Sequence, residues 1–377
     1  TAHDNGAPPA AGQAPEAASA FAAIDGDPAT IPERPADPMA PVGVQYTSGT
    51  TSRPKGVLWT HANALWGARI NAAHQDLRAD DVHLCTLPLF HTNAQAYSVL
   101  ATLWAGGTCV VQPRWSTSRF WQVSLDQRCT WTSMVWFCLR ALEGVEAPNR
   151  HHYRLWGNGF CEPPSDQRFG VKTIGWWGMT ETMSHGIVGD VHHPNRSLAI
   201  GKPAPEYGIA ILHPDGNPVA PGETGGLRVL GVPGLSLFKE YLGDPEATTA
   251  AYDDQGWFDT GDLVTLHEDG FISFADRDKD MLKVGGENVA ASEVERVIME
   301  IPEAAEVAVV AKKHEMLDEV PVAFVLVEGG LEGAASDLAE KVLAACREKL
   351  ADFKVPKEVI LVDSLPRSTL EKIAKAE

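Results

Sequence analysis

Residues 46–57, "YTSGTTSRPKGV", decide how the rest of the chain is read. Thr47, Ser48, Thr50, Thr51 and Ser52 supply hydroxyls, Gly49 and Gly56 allow close backbone approach, and Lys55 adds a point charge. Almost nothing in the stretch can be buried. Such a set suits the oxygens of a polyphosphate. The order Pro54-Lys55-Gly56 reverses a Walker A sequence, in which Gly-Lys precedes Ser or Thr. A flexible Ser/Thr/Gly surface loop is the plain alternative. The flanks argue against it: a strand-like "VGVQY" precedes the loop, an amphipathic "NALWGARINAA" follows, and strand-to-helix loops are where α/β folds hold phosphates.

Outward from the loop, short apolar runs alternate with helix-like segments from Val44 to about Phe274: "VHLCTLPL", "AYSVLATLWA", "GTCVVQP", "SRFWQVSLDQ", "TWTSMV". That alternation predicts an α/β sheet. After about Glu206 the texture becomes strands and turns, with Asp215-Gly216 as a turn pair. Beyond Asp276 a compact α+β pattern follows. It has a helix from Ser292 whose Ser292-x-x-Glu295 fits a capping box, β runs "AEVAVVA" and "VPVAFVLVE", a helix over 336–350 and a last strand "EVILV". The expected fold is therefore α/β, a large multi-sheet domain followed by a small α+β domain. Residues 1–43 are Ala- and Pro-rich with little periodicity and read as a connection.

The 377 residues are 44% hydrophobic and 21% charged, with a formal net charge of −19, values of an enzyme-sized globular protein. Such acidity argues against a nucleic-acid or anionic-membrane partner, which needs a dominant Lys/Arg face. Cys85, Cys109, Cys129, Cys138, Cys161 and Cys346 are scattered without metal-ligand spacing, so reduced thiols are expected. No apolar run approaches the ~20 residues of a membrane span, and the opening residues lack the build of a signal peptide. These features predict a cytoplasmic protein.

"YTSGTTSRPKG" closely resembles the phosphate loop of the adenylate-forming enzymes, which include acyl-CoA synthetases, peptide-synthetase adenylation domains and beetle luciferases. Four further motifs follow in that family's order, and together they cover residues 44–377. The resemblance implies that Thr47, Ser48, Gly49, Thr50, Thr51 and Lys55 hold the β and γ phosphates of ATP. In "GWWGMTE" (175–181) it implies that Thr180 contacts the α-phosphate, that Glu181 helps hold Mg²⁺, and that Trp177 flanks adenine where the family usually has Tyr. A helix N-cap at Thr180 is the structural alternative. In "WFDTGD" (257–262) Asp262 would accept from the ribose hydroxyls, and in "FADRDKDMLKVGGENV" (274–289) Arg277 would reach the ribose or phosphates, with the domain hinge on Lys279. "LPRSTLEKIAKAE" (365–377) aligns Lys372 with the catalytic lysine, although Glu371 replaces the family's Gly.

By the same resemblance, Gly285 and Gly286 line a channel for the pantetheine arm of coenzyme A, and "LFHTNAQ" and "WWGMTETMSHG" line the acyl pocket through His91, Thr92, Asn93, Trp176, Met183, His185 and Gly186. The bulk of Trp176 points to a small polar or branched acyl group. "GVPGLSLFKEY" is most like the crotonobetaine/carnitine-CoA ligase branch. The implied domains are 1–43, a connection from an absent or shortened N-terminal region; 44–276, an ATP- and acyl-binding core with 206–276 as a β-rich subdomain; and 277–377, a mobile C-terminal domain. The implied reaction is carboxylate activation with ATP and Mg²⁺, followed by transfer to coenzyme A. Loading of a carrier protein, or a catalytically incomplete nucleotide-binding fragment, stay open beside it. The expected partner is a small carboxylic acid, with no nucleic acid, no stable membrane association, and a homodimer left open.

Overall fold

The computed structural model describes residues 35–47, 55–277, 281–284, 287–314, 317–331 and 337–367, together with 373 and 375. Its first element corrects the sequence reading. Pro41–Tyr46 pairs antiparallel with Gly56–Thr60, Val44 opposite Leu58 and Tyr46 opposite Gly56, so the span between them closes a hairpin instead of leading from strand to helix. "GVLWT" is buried at every position, and a β-branched and aromatic run of that kind favours a strand. Only then does the helix His61–His74 begin, capped by Thr60: its hydroxyl accepts from Asn63 N–H while Asn63 Oδ1 accepts from Thr60 N–H. This helix is not amphipathic as expected. It buries Gly67, Ala68 and Ala72 beside two asparagines, whose amides hold neighbouring carbonyls: Asn63 those of Leu235 and Leu237, Asn71 those of Ala96 and Met183.

The predicted α/β sheet is present. Five parallel strands run in the spatial order Thr108–Val111, Val82–Cys85, Trp131–Ser133, Leu155–Asn158, Lys172–Trp177, and two short antiparallel strands, Ile187–Val188 and Lys202–Pro203, extend it. "AYSVLATLWA" is helical with a wide first part. Asn93–Leu100 is a π-helix, with Ser98 Oγ donating to the Asn93 carbonyl five residues back, before Ala101–Trp104 tightens to an α-helix. Such bulges recur at functional sites. One face of the sheet packs on an aromatic layer of Phe120, Trp121, Tyr153, Trp156 and Phe169. On the other side, a continuous core joins Trp176, Trp177 and Ile187 to Leu227, Val229, Phe258 and Val264 of a second sheet.

That second sheet is the expected β-rich region: Gly208–Leu212, Thr224–Leu230, Phe258–Leu266 and Ile272–Arg277, all antiparallel. Asp215-Gly216 turns as predicted, with Gly216 at φ +85°. The small C-terminal domain has its own core around Val294, Ile298, Val309, Val325 and Val342. Its sheet runs Glu287–Ala290, Met281–Val284, Asp318–Val327, Ala304–His314, with Glu358–Val362 parallel to Asp318–Val327. The expected capping box is absent. The helix Ala291–Ile298 starts after Ala290 without a side-chain cap, because Ser292 Oγ instead donates to Ala275 O and Glu295 Oε1 accepts from Val309 N–H. Both residues are used to fasten the helix to neighbouring strands. All six cysteines are free thiols, and among the described residues no helix is long and apolar enough to cross a membrane.

Candidate active site

A cleft of about 1510 Å³ collects residues from the hairpin, both large-domain sheets and the small domain. At its phosphate-loop end, Thr47 and Lys55 clasp each other: Thr47 N–H donates to Lys55 O at 3.0 Å and Lys55 N–H to Thr47 Oγ1 at 3.1 Å. Ser48, Gly49, Thr50 and Thr51 lie outside the described residues. Lys55 Nζ sits 4.5 Å above the ring of Tyr241, a cation–π contact. The Tyr241 hydroxyl in turn donates to Glu181 Oε1 at 2.8 Å. Burial, then the adjacent Glu181 carboxylate, pushes the phenol well above its ordinary range, so it stays a donor.

Glu181 is buried, and its carbonyl accepts from Phe238 N–H. Thr180 is fixed from two sides: Trp59 Nε1 donates to its carbonyl at 2.9 Å, and Thr92 Oγ1 approaches its hydroxyl at 3.4 Å. No helix starts there, so the N-cap alternative is excluded; residues 178–186 turn back on themselves. A buried carboxylate held by a hydroxyl donor is the kind of group magnesium takes together with nucleotide phosphate oxygens.

Trp177, which lines the cleft, donates through Nε1 to Asp262 Oδ2 at 2.8 Å, with both residues about 95% buried. Gly261, at φ +67°, and Thr260 line the cleft next to them. Arg277 is the backbone partner of Asp262 across the strand pair, so two residues chosen separately from sequence lie side by side. The Arg277 side chain and Lys279 lie outside the described residues, as do Gly285, Gly286 and Lys372. Ile373, next in sequence to Lys372, lines the cleft. Arg367 pairs with Glu306 and Lys375 with Glu295, both at 2.7 Å, on either side of it.

Of the expected acyl-pocket residues, His91, Thr92, Asn93 and Trp176 line the cleft. Met183, His185 and Gly186 do not, and the reason is the chain reversal at 178–186. After it, Ile187–Val188 pairs back onto Trp176 and Trp177, which turns the end of the motif into the core. His185 is fully buried behind Trp176, stacked at 4.6 Å and 9°, and burial holds its pKa well below the ordinary histidine value. Met183 packs against Gly67, and the Trp177 ring fills the space a side chain at Gly186 would need. Trp176 itself lies over Gly157, where an added Cβ would come within 1.5 Å of the indole. Tyr241, Trp59 and Gln45, which accepts from Thr92 Oγ1, were not among the sequence-derived candidates. Tyr241 ends the quoted "GVPGLSLFKEY", so its position was visible, but nothing in the sequence ties it to Glu181.

A parallel α/β core, a hairpin joined by a hydroxyl-rich stretch and a threonine-glutamate pair facing a second, small domain are the arrangement of the adenylate-forming class. The chain belongs to the AMP-binding enzyme family, which matches residues 3–242, and the C-terminal domain of AMP-binding enzymes matches residues 293–372. It is similar to the crotonobetaine/carnitine–CoA ligase of Salmonella typhimurium, 35% identical over 341 residues covering 88% of this chain and 65% of that ligase. It thus spans somewhat less than two thirds of the length of that relative. Among solved structures it resembles O-succinylbenzoate coenzyme A synthetase from Bacillus subtilis in complex with ATP and magnesium, with a TM-score of 0.78 and 30% identity over 89% of this chain and 69% of that one. It also resembles ATP-bound MatB from Rhodopseudomonas palustris, with a TM-score of 0.76 and 29% identity over 88% of this chain and 66% of that one.

Proposed function

We propose that the protein activates a small carboxylic acid with ATP through an acyl-adenylate and passes the acyl group to coenzyme A. The observation that carries this reading is the convergence of Lys55, Thr180, Glu181 and Trp177 on one cleft that the small domain also lines, with the buried Asp262 held by Trp177. In the first half-reaction a carboxylate oxygen bonds to the α-phosphorus, the bond to the pyrophosphate oxygen breaks, and pyrophosphate leaves. Lys55 and the Thr47 end of the loop face the β and γ oxygens. The Thr180 hydroxyl, held by its fixed backbone, faces the α-phosphate. Magnesium, when bound beside Glu181, neutralises phosphate charge. Lys372 would bring an ammonium to the forming bond, where charge builds during attack. In the second half-reaction a thiol sulfur bonds to the acyl carbon, the carbon–oxygen bond to AMP breaks, and the thiol proton passes to solvent.

Positioning and fixed charge suffice for such chemistry, and no protein nucleophile is required. Similarity to ligases named for coenzyme A supports that acceptor. The breadth of Trp176 across Gly157 supports a short or branched acid, and Trp136 and Phe160, edge to face at 5.3 Å in the same cleft, supply aromatic surface for it. The test is carboxylate-dependent ATP–pyrophosphate exchange over short, branched, aromatic, betaine-type and long-chain acids, with and without coenzyme A, repeated on Lys372→Ala. Exchange confined to one class of small acid and reduced at least about a hundredfold in the variant is expected. Absence of exchange with ATP still binding would leave a nucleotide-binding fragment, and preference for long chains would overturn the pocket reading.

A further inference from the structure

Asn93 opens the π-helix Asn93–Leu100 and lines the cleft together with Thr92, Tyr97, Met134 and Trp176. Its carboxamide is held at one end: Ser133 Oγ, at the C-terminal end of the strand Trp131–Ser133, donates to Asn93 Oδ1. The backbone of Asn93 is fixed as well, its N–H donating to His91 Nδ1 at 3.3 Å and its carbonyl accepting from Ser98 Oγ at 2.9 Å. A carboxamide carries an acceptor oxygen and a two-hydrogen nitrogen on diverging arms. With the oxygen engaged by the sheet, the nitrogen is the arm left to the cleft. Among the described residues no acceptor takes its hydrogens, and Nδ2 is not enclosed by the protein. The lining around it is uncharged: Thr92 precedes it in the chain, Met134 follows Ser133, and Tyr97, four residues on, stands edge to face with Trp176 at 6.3 Å.

We propose that Asn93 is a specificity-determining residue: its amide, aimed by Ser133, presents a fixed hydrogen-bond donor to the acyl group, so the cleft selects an acid whose chain carries a hydroxyl or carbonyl oxygen over the hydrocarbon acid of the same shape. This rests on the carboxylate-activating reading given above and names its substrate class. Ser133 has a single hydroxyl hydrogen, and placing it on Oδ1 decides which end of the amide faces outward. An amide free to turn could offer either end; one held by its oxygen offers the donor alone. An acid with a methyl group in that place leaves the amide hydrogens without an acceptor once water is excluded, and a donor stranded in this way disfavours the wrong acid. None of the neighbours named above is a cation, which suits a neutral oxygen and gives a second carboxylate nothing there to pair with.

The experiment is ATP–pyrophosphate exchange with matched pairs of acids that differ by an oxygen in place of a methyl group: 2-hydroxypropanoate against 2-methylpropanoate, 3-hydroxybutanoate against 3-methylbutanoate, and 4-oxopentanoate against 4-methylpentanoate. The readout is the ratio of kcat/KM within each pair, which a general loss of stability leaves unchanged. The parent should favour the oxygen-bearing member of at least one pair by about tenfold, the worth of one hydrogen bond. Asn93→Leu should bring that ratio to within about twofold of unity, and Ser133→Ala, which frees the amide to turn, should lower it part of the way. Asn93→Asp keeps the shape but turns an acceptor to the cleft, so it should still take a hydroxy acid, whose hydroxyl can donate, and should reject the oxo acid; this variant decides the matter if Asn93→Leu folds poorly. Exchange by the parent with every pair used equally overturns this inference and leaves the activation reading standing, as does a preference that survives in both Asn93 variants. No exchange with any acid overturns the activation reading, and this inference with it.

Discussion

Tyr241 shows how one side chain can serve two neighbours at once. Its face lies under the Lys55 ammonium and its hydroxyl donates to Glu181, so it links the phosphate-loop cation to the carboxylate proposed to hold magnesium. Both contacts are with charged partners in a largely buried place, where a hydrogen bond to an ion is worth about 1.5–3 kcal/mol. Tyr241→Phe keeps the ring and removes the hydroxyl. It is expected to raise the magnesium concentration for half-maximal ATP–pyrophosphate exchange by about tenfold while leaving the Lys55 contact in place. A titration of exchange against magnesium at fixed ATP checks this; an unchanged midpoint would mean that Glu181 needs no such support.

At the scale of the element, the strand Val82–Cys85, next to the edge strand of the parallel sheet, carries a buried histidine. His83 is 1% exposed and stacks on Trp131 of the adjacent strand with centroids 4.1 Å apart. Burial holds its pKa down to about 3. The unfolded chain binds a proton at this side chain near pH 6.5 while the folded chain does not. Its share of the stability is therefore intact above about pH 6.5 and is lost as pH falls from there toward 3, at about 1.4 kcal/mol per pH unit. His185, whose pKa is also depressed by burial, adds loss in the same direction. Urea unfolding at pH 7, 6 and 5 should show a shallower acid decline in His83→Phe than in the parent; parallel declines would refute the assignment.

Across the whole molecule, two separate cores meet at one cleft. A ligand that engages the folded cleft alone must stabilise the chain by mass action, about 2.7 kcal/mol at a hundred times its dissociation constant. ATP with magnesium is accordingly expected to raise the melting temperature, and the rise should shrink in Asp262→Asn. An equal shift in the variant, measured by differential scanning calorimetry, would place the nucleotide elsewhere.

The motifs of this chain were legible because each is local. The hydroxyl-rich loop is a short run whose residue types suit phosphate by themselves, while the threonine-glutamate pair and the aspartate after Thr260-Gly261 were picked out by the resemblance of their short runs to adenylate-forming motifs. Strand and helix alternation was legible for the same reason, since burial on a sheet or helix imposes a period on neighbouring residues. Other features needed the chain to return on itself. That the loop closes a hairpin depends on Tyr46 meeting Gly56, and that Met183, His185 and Gly186 leave the cleft depends on Ile187–Val188 pairing with Trp176 and Trp177. Ser292 and Glu295 fit a local cap in sequence, yet strands 17 and 14 residues away claim them in space. The sequence by itself determined which chemical groups the protein carries and the elements that bear them. Only the tertiary structure decided which of those groups meet, because contacts such as Trp177 with Asp262, 85 residues apart, are set by sheet packing and leave no periodic trace in the chain.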